Sequence, residues 1–95
     1  MTETAVFDAT EYLDSPEMIA AYLTAAFEDG DPALIASAIS DVARAQGMTD
    51  VAEKAGLSRE NLYRALGDDA KPEFATILKV LHALGISLVA QTRAA

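Results

Sequence analysis

The stretch from Met48 to Gly67 reads MTDVAEKAGLSRENLYRALG, and it decides how the rest of the chain is interpreted. Small or apolar residues recur at helical spacing before Gly56 and again after Ser58. Gly56 predicts a helix end, because glycine adopts the left-handed backbone conformation without steric cost. Ser58 predicts the N-cap of a following helix, since its side-chain oxygen can accept a hydrogen bond from the first turn. The stretch therefore predicts a helix, a three-residue turn and a second helix.

Each of these two helices has one small or apolar face by which it would pack. This face comprises Val51, Ala52 and Ala55 in the first helix and Leu62, Ala65 and Leu66 in the second. We expect Ala52 to lie where the helices cross closely, because a larger side chain would push them apart. Leu57 would fill the turn between the helices.

The opposite face of the second helix carries polar side chains, namely Arg59, Glu60, Asn61, Tyr63 and Arg64. Charged and hydrogen-bonding groups on an outward face are what the reading of DNA base edges requires. This layout is typical of a helix-turn-helix whose second helix enters the major groove. An ordinary helical hairpin is the alternative, because helix–glycine–helix patterns occur in many all-α proteins.

The two arginines allow more than one role. Each could donate two hydrogen bonds to the O6 and N7 atoms of guanine, which is the contact we favour. Alternatively, Arg59 and Arg64 could hold phosphate groups, or form surface ion pairs with Glu60 or Asp68.

The sequence also allows more than one role for the other polar residues of this face. Glu60 could accept a hydrogen bond from cytosine or could orient Arg64 four positions later. Asn61 could read adenine or could be exposed without a role. Tyr63 could bind a phosphate or could pack its ring over Lys71.

The composition excludes several classes of function. The chain has 95 residues, 52 % of them hydrophobic, no cysteine and one histidine, which predicts a single domain over residues 1–95. Without cysteine there is no disulfide framework or thiolate metal site, and His82 alone cannot form a zinc site. No residues resemble a catalytic triad, so we expect no enzyme, no metal and no cofactor. No apolar run could span a membrane and no signal peptide is recognisable, so we expect a cytoplasmic protein.

The net charge of −8 is confined to the first half of the chain. Residues 1–47 contain nine acidic residues and one basic residue, whereas residues 48–95 contain six of each. Because the second half is neutral, one copy would neutralise few phosphates, and useful DNA affinity would require a homodimer on two half-sites. The acidic half suits either a basic protein partner or a solvated surface.

The remainder of the chain predicts three more helices and two short strands. Residues 1–14 form an N-terminal arm with a strand near Ala5–Phe7, and residues 15–47 form an acidic half with helices over 16–28 and 32–46. Ser15-Pro16 and Asp31-Pro32 start these helices. The helix-turn-helix follows over 48–67, with Thr49 as its first cap.

The last part, residues 73–92, predicts a helix over 73–84 that ends at Gly85 and a short strand over Ile86–Thr92. The strand could pair with the N-terminal arm or with a second copy. The core face of this helix would comprise Phe74, Ile77, Leu78, Leu81 and Leu84. His82 would lie at the surface, and Met18 and Met48 would be packing residues. Five helices in this order match an all-α, λ-repressor-like DNA-binding domain.

The chain also resembles a known family. The segments MTDVAEKAGLSRENLYRALG and PEFATILKVLHALGISL are similar to an Xre-type helix-turn-helix. The longer pattern over residues 12–89, carried by DPALIASAISDVARAQGM, GLSRENLYRAL and PEFATILKVLHALG, resembles the addiction-module antidote proteins. These are antitoxins encoded beside small RelE/HigB-like toxins. The resemblance implies a protein that neutralises a small basic toxin by binding it, and that represses its own operon by binding double-stranded operator DNA.

The resemblance also implies which residues touch DNA. Thr49 falls at the start of the helix that contacts the phosphate backbone, although Asp50 stands where many Xre proteins have glutamine. The groove-facing positions are occupied by Ser58, Arg59, Glu60, Asn61, Tyr63 and Arg64. Two other functions stay open: a free-standing phage-type repressor without a toxin partner, and a protein-binding module that does not use DNA.

For the toxin surface, the sequence favours acidic residues of the first half, including Glu11, Asp14, Glu17, Glu28, Asp29 and Asp31. A small basic toxin, as the resemblance implies, would be attracted to them. The alternative is that these residues are ordinary capping and solubilising acids, since several of them lie at helix N-termini.

Overall fold

The computed structural model describes residues 13–93, which form five α-helices and no β-strand. The helices are α1 (Pro16–Asp29), α2 (Pro32–Gln46), α3 (Met48–Ala55), α4 (Arg59–Ala65) and α5 (Phe74–Ala83). The prediction of five helices is confirmed for this part of the chain. The N-terminal strand predicted near Ala5–Phe7 lies outside the described residues. Within residues 13–93, no helix is long and apolar enough to cross a membrane.

The strand predicted over Ile86–Thr92 is wrong. Residues 86–93 follow α5 without regular secondary structure. An alternating pattern indicates a strand only where a neighbouring strand supplies hydrogen-bond partners, and residues 13–93 supply none.

Three of the predicted helix starts are confirmed by side-chain caps. The Ser15 hydroxyl accepts a hydrogen bond from the Met18 amide (3.2 Å), and the Asp31 carboxylate accepts one from the Ala33 amide (3.1 Å). A proline follows each of these caps as the first helical residue. The Ser58 hydroxyl accepts from the amide of Asn61 (2.9 Å), which fixes where α4 begins.

The predicted cap at Thr49 is wrong. Helix α3 begins one residue earlier, at Met48, and no side chain caps it. Gly47 alone separates α2 from α3, with φ of 105°, a backbone conformation that other residues rarely adopt. Thr49 therefore lies exposed inside the first turn of α3.

The turn between α3 and α4 is formed as the sequence predicts. Gly56 is in the left-handed conformation (φ 75°), and the amide of Leu57 reaches back to the carbonyl of Ala52 at 2.9 Å. Leu57 is half-buried against the core. The direction in which α4 leaves α3 is thus set by one glycine and one backbone hydrogen bond.

Helix α3 is the centre of the core. It packs against α2, α4 and α5, while α1 packs on α2. Ala52 is only 2 % exposed, as predicted for a residue at a close helix crossing. The largest fully buried side chains are Leu23, Ile39, Val42, Val51, Leu62, Val80 and Leu81.

Two apolar residues predicted in the core lie at the surface. Phe74 is 67 % exposed and Met18 is 45 % exposed. The buried stripe of α5 instead includes Val80, which the sequence analysis missed. Phe74 is the first residue of α5, whereas the buried residues of that helix, Val80 and Leu81, lie near its other end. Met48 is buried and His82 is exposed, as predicted.

A polar contact joins α1 to α2. The Tyr22 hydroxyl donates a hydrogen bond to Oδ2 of Asp41 (2.6 Å), and Arg44 pairs with the other carboxylate oxygen. Burial, with the hydrogen bond to Asp41, raises the pKa of Tyr22 to about 12. The neutral hydroxyl is therefore the form that the folded protein stabilises.

Ala52→Leu should lower the free energy of unfolding by about 1–3 kcal/mol, because added methyl groups at a close crossing force the helices apart. Urea denaturation monitored by circular dichroism measures this change. Ala25→Leu, on the exposed face of α1, is the matched control and should change the free energy by less than about 0.5 kcal/mol. Equal destabilisation by both substitutions would show that the crossing is not tight.

Tyr22→Phe should lower the free energy of unfolding at neutral pH by about 1 kcal/mol through loss of the hydrogen bond. Because the folded pKa of Tyr22 lies above the unfolded value, its contribution is fully present below pH 10 and is lost as the pH rises towards 12. The difference between wild type and Tyr22→Phe should therefore shrink over this range in denaturation experiments. Tyr63→Phe, at an exposed tyrosine, is the control for removing a hydroxyl group away from the α1–α2 contact.

Candidate nucleic-acid interface

Helix α4 presents its polar face to solvent. Leu62 is fully buried and Leu66, the residue that ends the helix, is 6 % exposed, so together they fix the inward side. The side chains left outside are Arg59, Glu60, Asn61, Tyr63 and Arg64, and all five are exposed. The predicted orientation of this face is therefore confirmed, while the contact that each residue makes with DNA stays a prediction.

The arginines of α4 are held by neutral neighbours. Arg59 donates a hydrogen bond to the Tyr63 hydroxyl (3.3 Å), and its guanidinium carbon lies 5.4 Å from the centre of the Tyr63 ring. Arg64 donates to Oδ1 of Asn61 at 3.0 Å. Each contact orders a guanidinium group without neutralising its positive charge.

The structure does not show the alternative contacts that the sequence allows for the two arginines and for Tyr63. The ion pairs found among residues 13–93 join Asp41 to Arg44 and Asp50 to Lys54. Neither Glu60 nor Asp68 pairs with an arginine of α4 in this part of the chain, and Tyr63 packs against Arg59 rather than Lys71. Among the described residues, no acidic side chain neutralises either guanidinium group.

The first turn of α3 lies beside α4. Thr49 is exposed there, and the neighbouring Asp50 forms an ion pair with Lys54 at 3.1 Å. That pair offsets part of the negative charge of Asp50. The structure thus brings Thr49 close to α4 and compensates part of the unfavourable charge beside it.

A shallow surface cleft of about 550 Å³ joins these two elements. Thr49 and Asp50 from α3 line it together with Arg59 and Tyr63 from α4. Asn61 and Arg64 do not line this cleft, because they lie further around α4. The predicted residues therefore separate into a group at the cleft and a group on the open side of α4.

Arg44 is a residue of this surface that the sequence analysis did not assign to it. It lies in the last turn of α2, lines the same cleft, and is held by Asp41 and by the Ser40 hydroxyl at 3.3 Å. The available signal was a basic residue immediately before the Gly47 turn. Only the fold shows that this turn brings the end of α2 next to α4.

Ser58 contributes to this surface as the N-cap of α4. Its hydroxyl oxygen accepts the capping hydrogen bond from the Asn61 amide, and the residue is exposed. The cap anchors the first turn of the helix on which the arginines lie.

Comparison with known proteins identifies the family to which the chain belongs. The sequence model of a family described as "Probable addiction module antidote protein" matches residues 3–92. A protein of Haemophilus influenzae, described as an uncharacterized protein, is 44 % identical over 85 residues, which cover 90 % of this chain and 88 % of the relative. No solved structure matches the chain significantly. The match to the family extends over all five helices, and the chain belongs to the family of probable addiction module antidote proteins.

Proposed function

We propose that this chain is the antitoxin of a toxin–antitoxin module. It binds and neutralises a small basic RelE/HigB-like toxin, and as a homodimer it represses its own operon by binding operator DNA. The DNA-binding unit is an Xre-type helix-turn-helix in a λ-repressor-like arrangement, made of α3 and α4. The observation that supports DNA binding best is the outward face of α4, whose two arginines are ordered but not neutralised.

The geometry of α4 favours different roles for its two arginines. At roughly 100° per residue, Arg64 lies opposite the buried side of the helix, whereas Arg59 lies towards the edge next to α3. The residue at the centre of an inserted helix face is the one that reaches base edges. The residue at the edge, beside the cleft with Thr49, is better placed for the DNA backbone.

Arg64 is therefore the residue we propose for base reading. Its contact with Asn61 aligns two side chains that recognise purines, since arginine pairs with guanine and asparagine with adenine. Arg59 and Tyr63, joined by their own hydrogen bond, would hold a phosphate together with Thr49.

Charge makes a homodimer necessary for this role. Residues 48–95 have equal numbers of acidic and basic residues, so one copy contributes little net attraction to DNA. Two copies on a two-fold symmetric site double the phosphate contacts and the base contacts.

The antitoxin role is supported by the family and by the acidic first half. Asp14, Glu17, Glu28 and Asp29 are exposed, and none of them forms an ion pair within residues 13–93. Asp31 is exposed too, although its carboxylate caps α2. A basic toxin surface would be steered to such a cluster. These acids lie on α1 or beside its ends, whereas the arginines lie on α4, so the toxin and DNA would meet different helices.

Arg64→Ala should weaken binding to DNA from the protein's own promoter by roughly 10–100-fold and relax the preference for that DNA over unrelated DNA. Arg59→Ala should weaken binding to both DNAs alike and lower the salt dependence by about one phosphate contact per copy. Fluorescence anisotropy at several salt concentrations measures both effects. Lys79→Ala, which removes an exposed charge from α5, is the control.

Promoter affinities of Arg59→Ala and Arg64→Ala that equal that of wild type would contradict DNA reading by α4. Absence of any specific binding by the wild type, with and without toxin, would favour the protein-binding module.

Co-expression with the adjacent reading frame should yield a complex and should restore growth that the toxin alone arrests. The triple variant Asp14→Asn, Glu17→Gln, Asp29→Asn should bind the toxin roughly tenfold more slowly at low salt, because steering by opposite charge is lost. Stopped-flow mixing measures this rate. The matched control removes three acids from the second half: Asp68→Asn, Asp69→Asn and Glu73→Gln.

Equal association rates for the two triple variants would argue against the acidic first half as the toxin surface. No co-purifying product from the neighbouring reading frame would favour a free-standing repressor.

A further inference from the structure

Helix α1 and the segment that follows α5 border a groove of about 960 Å³. On the α1 side, Ala20 is exposed, Leu23 is buried and Phe27 is half-buried. On the other side, Leu88 is 42 % exposed and Val89 is 76 % exposed. Large apolar side chains that stay exposed beside a groove are typical of a surface that binds another protein.

The α1 side of the groove is acidic. Residues 14–31, which comprise α1 and the residues beside its ends, contain five acidic residues and no basic residue. None of the five forms an ion pair within residues 13–93. At roughly 100° per residue, Glu17 and Glu28 lie about three turns apart on the same edge of the face that borders the groove. The groove therefore has an apolar floor and an acidic edge.

This charge favours a basic protein as the occupant. Arg93 also lines the groove and forms no ion pair with Glu28 in the part of the chain that the structure describes, so one base stands against the five acids. A second copy of the chain, with its net charge of −8, would bring further acids against them. A protein with basic residues around an apolar patch would gain attraction at the edge and burial at the floor.

We propose that this groove is the docking site of the toxin, which inserts apolar side chains between α1 and residues 86–93 and places basic side chains against the acidic edge. The inference rests on the proposed function, because it takes the toxin as the basic partner. The acids around α1 raise the rate of association, since attraction between unlike charges acts before contact. The apolar groove lowers the rate of dissociation, because its buried surface must be exposed to water before the toxin leaves.

Ala20→Arg tests the groove by placing a charged side chain on its apolar floor. The toxin should dissociate about a hundredfold faster from this variant, because the apolar centre of the contact is lost. Ala25→Arg is the matched control, since Ala25 is exposed on the side of α1 away from the groove and the change in net charge is the same. The toxin should dissociate from it as from wild type. Biolayer interferometry with the immobilised product of the adjacent reading frame measures these rates.

Val89→Ala tests the other side of the groove. It should speed dissociation about tenfold without changing the rate of association, because two buried methyl groups and no charge are lost. Phe74→Ala is the control, since Phe74 is also exposed but does not line the groove. It should leave both rates unchanged.

Urea denaturation separates docking from folding. Ala20 and Val89 are exposed, so Ala20→Arg and Val89→Ala should leave the midpoint of unfolding unchanged, as should Ala25→Arg. A lower midpoint for Ala20→Arg but not for Ala25→Arg would show that another segment of the same chain fills the groove, and would overturn the proposal.

Two further results would overturn this docking site. The first is equal dissociation of the toxin from Ala20→Arg and Ala25→Arg, which would leave the antitoxin role intact and place the contact elsewhere. The second is a change from dimer to monomer on sedimentation of Ala20→Arg while its toxin dissociates as from wild type, which would make the groove the homodimer interface. If wild type itself bound no product of the adjacent reading frame, the antitoxin role would fail together with the site, so the two failures are distinguishable.

Discussion

The close packing of α3 against its neighbours is the constraint on which the rest of the structure depends. This helix has only eight residues, yet it contacts α2, α4 and α5. Three of its four buried residues, Val51, Ala52 and Ala55, are small or β-branched, and Val51 and Ala52 are only 1 % and 2 % exposed. Small side chains let three helices approach one short axis. The angles of those helices are thereby fixed relative to each other, including that of the candidate DNA-reading helix.

Helix α4 depends on this packing for its existence. An isolated helix of seven residues is unstable in water, because the cost of the first turn is recovered only over longer lengths. The Ser58 cap and burial of Leu62 compensate for that cost, and they also determine which side faces outward. The stability of α4 and the outward orientation of Arg59 and Arg64 therefore have the same cause. A substitution that weakens the packing of Leu62 would disturb both.

Local patterns predicted the local structure well. The caps at Ser15, Asp31 and Ser58 depend on neighbouring atoms, and the sequence showed them directly. One local prediction failed, because α3 begins at Met48 and Thr49 does not cap it. The other failures are residues whose environment is set by distant parts of the chain. The exposure of Phe74 depends on which parts of the fold pack against the start of α5, and the place of Arg44 at the cleft depends on the turn at Gly47. The strand expected over Ile86–Thr92 required a neighbour that residues 13–93 do not provide, which periodicity alone cannot reveal.

The uneven distribution of charge explains how so small a chain could serve three partners of different charge. DNA is a polyanion, the proposed toxin is basic, and a second copy is as acidic as the first. If the acids were spread evenly, they would weaken the approach to DNA and to the second copy alike. Asp14, Glu17, Glu28, Asp29 and Asp31 lie on α1 or beside its ends, whereas within residues 13–93 the two arginines of α4 form no ion pair, and residues 74–95 contain no acid. If the toxin binds α1 and DNA binds α4, as proposed, neither partner has to displace the other from its helix.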